Sequence, residues 1–300
     1  MLRTLLLSCC AVASALRVGV PATAAPPRRA TQMQLTSNGS KRLLVIGGTG
    51  FVGAEVCKNA VSAGYSVTAL SRRGQNPDPK NELLQQVEWC AGDALDAKSV
   101  NAYVSKADAV VHAIGLLFDV DSGLVGLNNV VSGSKSKPGD SSTYDNITRK
   151  TAFTMIDALE KRPALPFVSE KIPFAFVSCA EAGWPDVQFG ETVDAAAPEW
   201  LQRYLVAKRA VEARLGRSDR LRPVIMRPSL IWTWTKLDVL PVIPVFNLAC
   251  AIGVPFVDKT VRVEDLARAT VAGLRDPEVS GVQRYPQMEE LSKKFIQELA

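Results

Sequence analysis

A glycine-rich run at residues 47–53, with the sequence GGTGFVG, constrains the fold of this chain more than any other feature. Residues 42–47 (RLLVIG), whose middle is apolar, predict a short buried strand that ends at the first glycine of the run. Residues 51–63, which follow it, carry apolar side chains at helical spacing and stop before a glycine, so they predict a helix. A strand that turns through glycines into a helix is the arrangement that binds dinucleotide phosphates.

Three glycines of this run have separate roles in such a turn. Gly47 permits the tight turn, Gly50 lets backbone N–H groups approach a pyrophosphate, and Gly53 lets the helix pack closely on the strand. The helix N-terminus then presents unpaired donors and a favourable dipole to the phosphates. The residues of the run predicted to bind the cofactor are Gly47, Thr49, Gly50, Phe51, Val52 and Gly53. A glycine-rich turn with only a structural role is the alternative interpretation.

From residue 41 onward, short apolar β-rich runs alternate with helical stretches. The runs predict further strands at residues 65–70, 87–91, 109–114, 174–178 and 223–227. Helices are predicted at 144–161 and 199–215, with a polar loop at 131–143. This alternation is typical of a parallel sheet covered by helices. We therefore expect an α/β fold, with a doubly wound parallel Rossmann sheet in residues 41–228 and a small C-terminal cap in residues 229–300.

The residues after the second predicted strand indicate which dinucleotide binds. An NAD site has a carboxylate there, whereas this chain has Ser71, Arg72 and Arg73. Two guanidinium groups can bind a 2′-phosphate through forked, charge-assisted hydrogen bonds. We therefore predict NADP as the cofactor, with NAD as the second choice and an unliganded surface pair of arginines as the structural alternative. Asp93, just after the third predicted strand, is placed to contact the adenine.

Tyr204 and Lys208 are spaced i, i+4 in the predicted helix 199–215, so their side chains leave the same face. An ammonium beside a phenol favours the phenolate, which suits Tyr204 to proton transfer during hydride exchange. A Tyr and a Lys on an ordinary amphipathic helix are the alternative. Together with the glycine run and with Asp93, the pair resembles the short-chain dehydrogenase/reductase superfamily.

Within that superfamily the chain is most similar to the extended or atypical branch, over about residues 41–285. This branch includes nucleotide-sugar epimerases, the Rossmann-type accessory subunit of mitochondrial complex I, and reductase-like proteins of quinone biosynthesis with plastid relatives. The segments most similar to the last two groups are residues 203–209 (RYLVAKR), 221–231 (LRPVIMRPSLI) and 261–268 (VRVEDLAR).

The resemblance implies roles for several residues. Lys208 would hold the nicotinamide ribose, and the residues implied to run past the cofactor are Ala113, Gly115, Arg227 and Pro228. The family also has a catalytic Ser or Thr after the fifth strand, for which Ser178 is the candidate. Ser178 ends the predicted strand, however, and the usual position falls nearer Cys179 or Ala180. With Ala180 at that position, the hydroxyl that orients the substrate oxygen would be absent.

His112 is the only histidine, so neither a Ser-His-Asp triad nor a multi-histidine metal site can form, and we predict no metal. Its place near the end of the fourth predicted strand favours a buried strand residue over a catalytic one. Cys179 is interpreted as a small buried residue, with a reactive thiol as the alternative.

Residues 1–40 contain four arginines and no acidic residue, and their apolar run at 5–15 is too short to span a bilayer. They predict a targeting presequence, either a bipartite plastid type or a mitochondrial one. Of the 35 basic residues, removal of these four leaves 31 against 30 acidic residues, a nearly neutral body. A neutral body gives no electrostatic reason to expect a nucleic-acid partner.

Residues 239–257 carry no charge over nineteen positions, but their prolines and glycine argue against a membrane-spanning helix. The segment predicts either a wall over a lipophilic substrate or a surface that docks on a membrane or a membrane complex. Ordinary packing of a C-terminal cap is the alternative.

These features predict an NAD(P)-binding oxidoreductase-like protein of the atypical class. It would transfer hydride to or from a small apolar carbonyl, quinone or isoprenoid-type compound, with Tyr204 as the acid/base. The alternative is a non-catalytic nucleotide-binding subunit or assembly factor of a membrane or quinone-biosynthesis complex. The intact Tyr204–Lys208 pair favours the enzyme, and a missing serine hydroxyl would favour the alternative.

Overall fold

A computed structural model of the protein describes residues 40–124, 139, 141–163, 170–234 and 242–300. The presequence predicted at residues 1–40 lies outside the described residues, apart from residue 40, and so does most of the loop predicted at 131–143. The first three residues of the apolar segment 239–257 are also outside them.

Seven parallel strands form the central sheet. In chain order, the described strands are β1 (Arg42–Ile46), β2 (Ser66–Ser71), β3 (Glu88–Ala91), β4 (Ala109–His112), β5 (Ile172–Val177), β6 (Leu221–Met226), β7 (Ile231–Trp232), β8 (Val261–Arg262) and β9 (Gly281–Gln283). The sheet order is β3-β2-β1-β4-β5-β6-β9, and β7 pairs separately with β8. Because the chain winds outward from β1 in one direction and then from β4 in the other, the predicted doubly wound Rossmann sheet is confirmed.

Within the described part of the chain, nine α-helices connect or cover the strands. They are α1 (Phe51–Ser62), α2 (Glu82–Gln85), α3 (Ala97–Val104), α4 (Thr151–Glu160), α5 (Gly190–Ala195), α6 (Glu199–Gly216), α7 (Ile243–Ala251), α8 (Val263–Arg275) and α9 (Tyr285–Leu299). The helix predicted at 144–161 is divided, since a π-helical turn at Asp145–Lys150 leads into α4. A 3₁₀ turn at Ala180–Asp186 follows β5. None of the described helices is long and apolar enough to cross a membrane.

Each face of the sheet has its own hydrophobic core. Successive side chains of a strand point to opposite faces, so Leu43 and Val45 pack with α1, α8 and α9. Leu44 and Ile46 pack on the opposite face with α3, α4 and α6. Burial on both faces explains why the strands are continuous apolar runs in the sequence instead of alternating polar and apolar.

The strand boundaries differ from the predicted ones by one or two residues. β4 ends at His112 and not at residue 114, although the Ala113 N–H still donates to the Ile46 carbonyl over 2.9 Å. Residues 229–300, predicted to form a small cap, also contribute a strand to the main sheet, because β9 pairs with β6 at its edge. α8 and α9 complete one of the two cores.

Candidate active site

The glycine turn is packed too tightly at Gly47 and Gly53 for a larger side chain at either position. Gly47 has a φ of +83° and its N–H donates to the Leu70 carbonyl over 2.9 Å, while the Gly50 N–H donates back to the Gly47 carbonyl over 2.9 Å. A Cβ on Gly53 would lie 2.2 Å from the Gly47 oxygen, far inside contact distance. The turn therefore lies against β1 and α1 at the point where the sheet reverses direction.

The amino end of α1 opens onto a cavity of about 550 Å³. Gly50, the N-cap residue, has no side chain that could cap this end of the helix. A Cβ on Gly50 would approach only the Gly47 oxygen, at 3.1 Å, and a Cβ on Gly115 would meet nothing within 4 Å. Open space beside two glycines, at a helix N-terminus, fits the pyrophosphate of a dinucleotide.

The cavity brings together nine of the predicted site residues. They come from the glycine turn, the ends of β4 and β5, the helix α6 and the residues after β6, and they are Gly50, Phe51, Val52, Ala113, Gly115, Ser178, Tyr204, Lys208 and Pro228. These elements converge because the carboxyl ends of parallel strands share one edge of the sheet.

The predicted adenosine-side residues lie outside this cavity. The Ser71 hydroxyl accepts a hydrogen bond from the Gly74 N–H over 3.1 Å, which shapes the turn that carries Arg72 and Arg73. Both arginine side chains are exposed. The carboxylate of Asp93 accepts from the Leu95 N–H over 2.9 Å in a tight turn.

Lys208 is 2% exposed, and α6 directs its amine into the cavity wall. Its Nζ donates to the Val177 carbonyl over 2.6 Å and lies 4.9 Å from the ring centroid of Phe176 and 5.5 Å from that of Tyr204. Burial lowers the pKa of Lys208, while Cys179 and Glu212 act in the opposite direction. The amine is therefore held in one position by a carbonyl and two aromatic rings.

The surroundings of Tyr204 affect its ionisation differently from the prediction. The ring packs edge-on against Tyr144, with 5.4 Å between centroids. Burial raises the pKa of Tyr204 well above its usual value, and Cys179 and Glu181 raise it further. Burial thus opposes the phenolate that Lys208 was expected to favour, because removal from water disfavours the charged form of the phenol.

The Ser178 hydroxyl already donates a hydrogen bond within the protein. Its Oγ donates to Glu212 Oε1 over 2.5 Å, and Glu212 Oε2 accepts from Arg227 Nη2 over 2.6 Å. Arg227, which was predicted near the cofactor, thus forms a largely buried ion pair and does not line the cavity. Burial raises the pKa of the neighbouring Cys179 to about 12, so its sulfur stays a thiol.

His112 is fully buried in β4 and does not line the cavity. Its Nε2 lies 2.8 Å from Thr151 Oγ1, and that hydroxyl donates its own proton to the Ile147 carbonyl over 2.7 Å. Nε2 must therefore carry the proton of this hydrogen bond. Burial lowers the pKa of His112 to about 3, and Lys208 adds to the effect. This is the structural strand histidine that the sequence favours.

Two acidic residues of the cavity wall, Glu181 and Asp258, were not predicted from the sequence. Asp258 is paired with Arg284, with 2.6 Å between Oδ1 and Nη2. Glu181 follows Ala180 directly, so an acid immediately after β5 was the signal that could have identified it. Its pKa is raised, first of all by burial.

The apolar segment contributes to the same wall through Phe246, Phe256 and Val257. Trp184 Nε1 donates to the Phe256 carbonyl over 2.9 Å, which ties the segment to the 3₁₀ turn after β5. Other exposed apolar side chains of the segment, Val245 and Leu248, point away from the protein interior.

The chain is similar to two curated proteins whose names describe different settings. MIOREX complex component 2 of Saccharomyces cerevisiae is 28% identical over 222 residues, which cover 64% of this chain and 73% of that protein. An uncharacterized chloroplastic protein of Arabidopsis thaliana is 41% identical over 76 residues, which cover 25% of each chain.

Solved structures share the fold at low sequence identity. The 3-ketoacyl-(acyl-carrier-protein) reductase of Brucella melitensis, complexed with NADH, has a TM-score of 0.54 and 16% identity, over 81% of this chain and 94% of that one. The enzyme WbmF of Bordetella bronchiseptica, in complex with NAD⁺, has a TM-score of 0.51 and 16% identity, over 86% and 78%. A family model described as NAD(P)H-binding matches residues 47–277, from the glycine turn to the end of α8. The chain therefore belongs to the NAD(P)H-binding family of Rossmann-fold proteins, in agreement with its resemblance to the atypical short-chain dehydrogenases.

Proposed function

We propose that the protein is an oxidoreductase that uses NADP and acts in this cavity on a small apolar carbonyl compound, quinone or isoprenoid-type compound. One observation carries the proposal: the amino end of α1, Lys208 and Tyr204 all face one largely apolar cavity. Its volume of about 550 Å³ lies within the range of about 300–1,000 Å³ that is usual for small-molecule sites.

When bound, NADPH supplies the hydride that reduces a carbonyl carbon. The glycine turn and the amino end of α1 would hold its pyrophosphate, and Lys208 would bind the ribose next to the nicotinamide. Because burial keeps Tyr204 protonated, its hydroxyl is suited to give a proton to the carbonyl oxygen.

The apolar character of the substrate is supported by the far wall of the cavity. Side chains from α6, α7 and the residues after α7 supply aromatic and aliphatic surface there, namely Trp200, Leu201, Phe246 and Phe256. A polar diphosphate-sugar would leave its hydroxyl groups without partners on such a wall, whereas a hydrocarbon ring or chain would be desolvated favourably. Exclusion of water also strengthens the electrostatic interactions of Tyr204.

The proposal is tested on the purified protein with NADPH and a series of quinones and apolar carbonyl compounds. Tyr204→Phe keeps the ring and removes the proton donor, so turnover should fall by about 10²-fold or more while NADPH binding persists. Tyr103→Phe, which removes a hydroxyl outside the cavity, is the matched control. Unchanged turnover in Tyr204→Phe would contradict the role of this residue.

The preference for NADP over NAD is part of the proposal. It is supported by the exposed Arg72 and Arg73 at the carboxyl end of β2 and by the lack of an acidic residue in the Ser71–Gly74 turn. Guanidinium groups that are free to move in solvent can close around a 2′-phosphate.

A second candidate function is a non-catalytic nucleotide-binding subunit of a larger assembly. Two observations favour it: Ser178 gives its hydroxyl proton to Glu212, and a relative is named as a component of the MIOREX complex. In that case NADPH binds and stays reduced with every acceptor offered, and the protein elutes from cell extracts with a larger complex.

We also propose an organellar location, in a plastid or alternatively in a mitochondrion. The arginine-rich, acid-free residues 1–40 support it, and so does the chloroplastic relative. A fluorescent fusion of residues 1–45 should go to one of these organelles, and a diffuse cytosolic signal would contradict the proposal.

A further inference from the structure

Glu181 places a carboxyl group in the cavity beside Tyr204. It is the second residue of the 3₁₀ turn that follows β5, and it lines the cavity together with Tyr204 and Lys208. Cys179 also lines this wall, and, in addition to burial, the charge of Glu181 raises the pKa of both the Cys179 thiol and the Tyr204 phenol. Glu181, Cys179 and Tyr204 therefore share one region of the wall.

Glu181, which is half-buried, lacks the cation that the fully buried carboxylates have. Of the described acidic residues, Asp119 and Glu212 are the two that are less than a tenth exposed, and each pairs with an arginine. Asp258, the other acid of the cavity wall, pairs with Arg284. No ion pair among the described residues includes the Glu181 carboxyl, and a carboxylate without a cation is costly in an apolar cavity.

The surrounding groups favour the neutral acid. From α6, Arg209 binds the Glu181 backbone carbonyl over 3.3 Å but neutralises Asp194, and the Lys208 amine is directed to Val177. Burial raises the pKa of the Glu181 carboxyl and the Asp258 charge adds to this, against smaller opposite effects of its own N–H and of Cys179. No charged neighbour holds the proton off this carboxyl.

We propose that Glu181, as a neutral carboxylic acid, donates a hydrogen bond to the carbonyl oxygen of the substrate, in place of the hydroxyl that Ser178 directs to Glu212. This assignment rests on the proposed reductase function. In the step, hydride adds to the carbonyl carbon, the π electrons of the C=O bond move to oxygen, and Tyr204 protonates that oxygen. The products are an alcohol, an oxidised nicotinamide and a Tyr204 phenolate, which recovers its proton from solvent. The Glu181 hydrogen bond stabilises the negative charge that develops on oxygen.

The first test compares two variants of the full chain in mildly acidic and in alkaline buffer. Glu181→Ala removes the donor and should lower turnover in acidic buffer by about 10²-fold, with NADPH affinity unchanged. Glu181→Gln keeps an N–H donor and should retain most of the acidic rate. Wild-type turnover should fall as pH rises and the carboxyl ionises, and this fall should be absent in Glu181→Gln. Glu191→Gln, the same change at an exposed glutamate of α5, is the matched control.

The second test needs no cofactor and follows the unfolding temperature against pH. A carboxyl with a raised pKa in the folded protein binds its proton more tightly there than in the unfolded chain, so stability is lost as pH rises from the unfolded pKa through the folded pKa. Glu181→Gln should remove this loss and become more stable than wild type in alkaline buffer. Glu191→Gln should follow the wild-type curve.

The outcomes separate the two proposals. A protein that binds NADPH and reduces none of the carbonyl compounds overturns the reductase function and the Glu181 assignment together. Wild-type reduction that survives in Glu181→Ala overturns the assignment alone, and so does a Glu181→Gln variant whose stability curve matches wild type.

Discussion

Lys208 shows how a single residue can be fixed by burial. Its amine is removed from water, but it donates to the Val177 carbonyl and lies over the rings of Phe176 and Tyr204. A lysine that was exposed would sample many rotamers, and the free energy of ordering it would be lost at each binding event. The fold therefore holds the amine in position before any ligand arrives.

Nine residues of the cavity were predictable from the sequence, but Glu181 and Asp258 were not, nor were the hydrogen-bond partners of the site. The i, i+4 spacing places Tyr204 and Lys208 on one helix face, as the structure has it. The pKa of Tyr204 depends on how completely the surrounding elements exclude water, which no local pattern contains. For the same reason, the partner of Ser178, a glutamate 34 residues away on α6, was not foreseen.

The arginine pair after β2 leads to a prediction about cofactor choice. Replacement of both Arg72 and Arg73 by Ala removes the charge-assisted hydrogen bonds to a 2′-phosphate, each of which contributes about 1.5–3 kcal/mol. We expect NADPH affinity to fall by about tenfold or more and NADH affinity to stay the same, as measured by fluorescence titration.

The matched control for the arginine pair is Arg217→Ala, which removes an exposed arginine after α6. It should leave both affinities at wild-type values. Equal losses for NADPH and NADH in the double variant would mean that the arginines do not recognise the 2′-phosphate.

Among the elements, the unit of β1, glycine turn and α1 was predictable almost to the residue. Its signals are local: an apolar run, glycines at fixed spacing and a helical period. β9 was not predictable, because it has only three residues and begins at Gly281 with a φ of +77°. Its extended form depends on hydrogen bonds with β6, which is far away in the sequence.

The close contact within the glycine turn predicts the effect of one added methyl group. In Gly53→Ala the new Cβ would lie 2.2 Å from the Gly47 oxygen, so either the turn or α1 must shift. We expect a loss of about 2 kcal/mol or more in the free energy of unfolding, measured by denaturant titration, together with weaker NADPH binding.

The control for this element is Gly216→Ala at the end of α6, where an added Cβ meets nothing within 4 Å. That change should leave stability the same or raise it slightly, because alanine favours the helix. A Gly53→Ala variant as stable as Gly216→Ala would show that the turn can relax without cost.

At the scale of the whole molecule, apolar surface is concentrated on α7. None of its residues is buried, and Val245, Leu248 and Ile252 are 64%, 63% and 72% exposed. Their spacing places them along one side of the helix and the turn after it, while Phe246 of the same helix lines the cavity. A contiguous apolar face beside an apolar cavity supports the proposal that the protein docks on a membrane surface or a membrane complex.

This face predicts association with lipid. Wild-type protein should sediment with vesicles of phosphatidylcholine, and the double replacement Val245→Glu, Leu248→Glu should lower the bound fraction by about tenfold or more, because two apolar side chains no longer enter the bilayer. Ile296→Glu on α9, at 48% exposure, is the control. Vesicle binding that is equal in all three proteins would argue against docking through α7.

The pairing of β9 with β6 also determines when the protein can finish folding. Until residues 281–299 have left the ribosome, β6 has no strand on its outer side and α8 has no α9 to cover it. An uncovered strand edge with an exposed apolar helix is prone to pair with other chains. The growing chain is therefore most exposed to aggregation before β9 and α9 have been added.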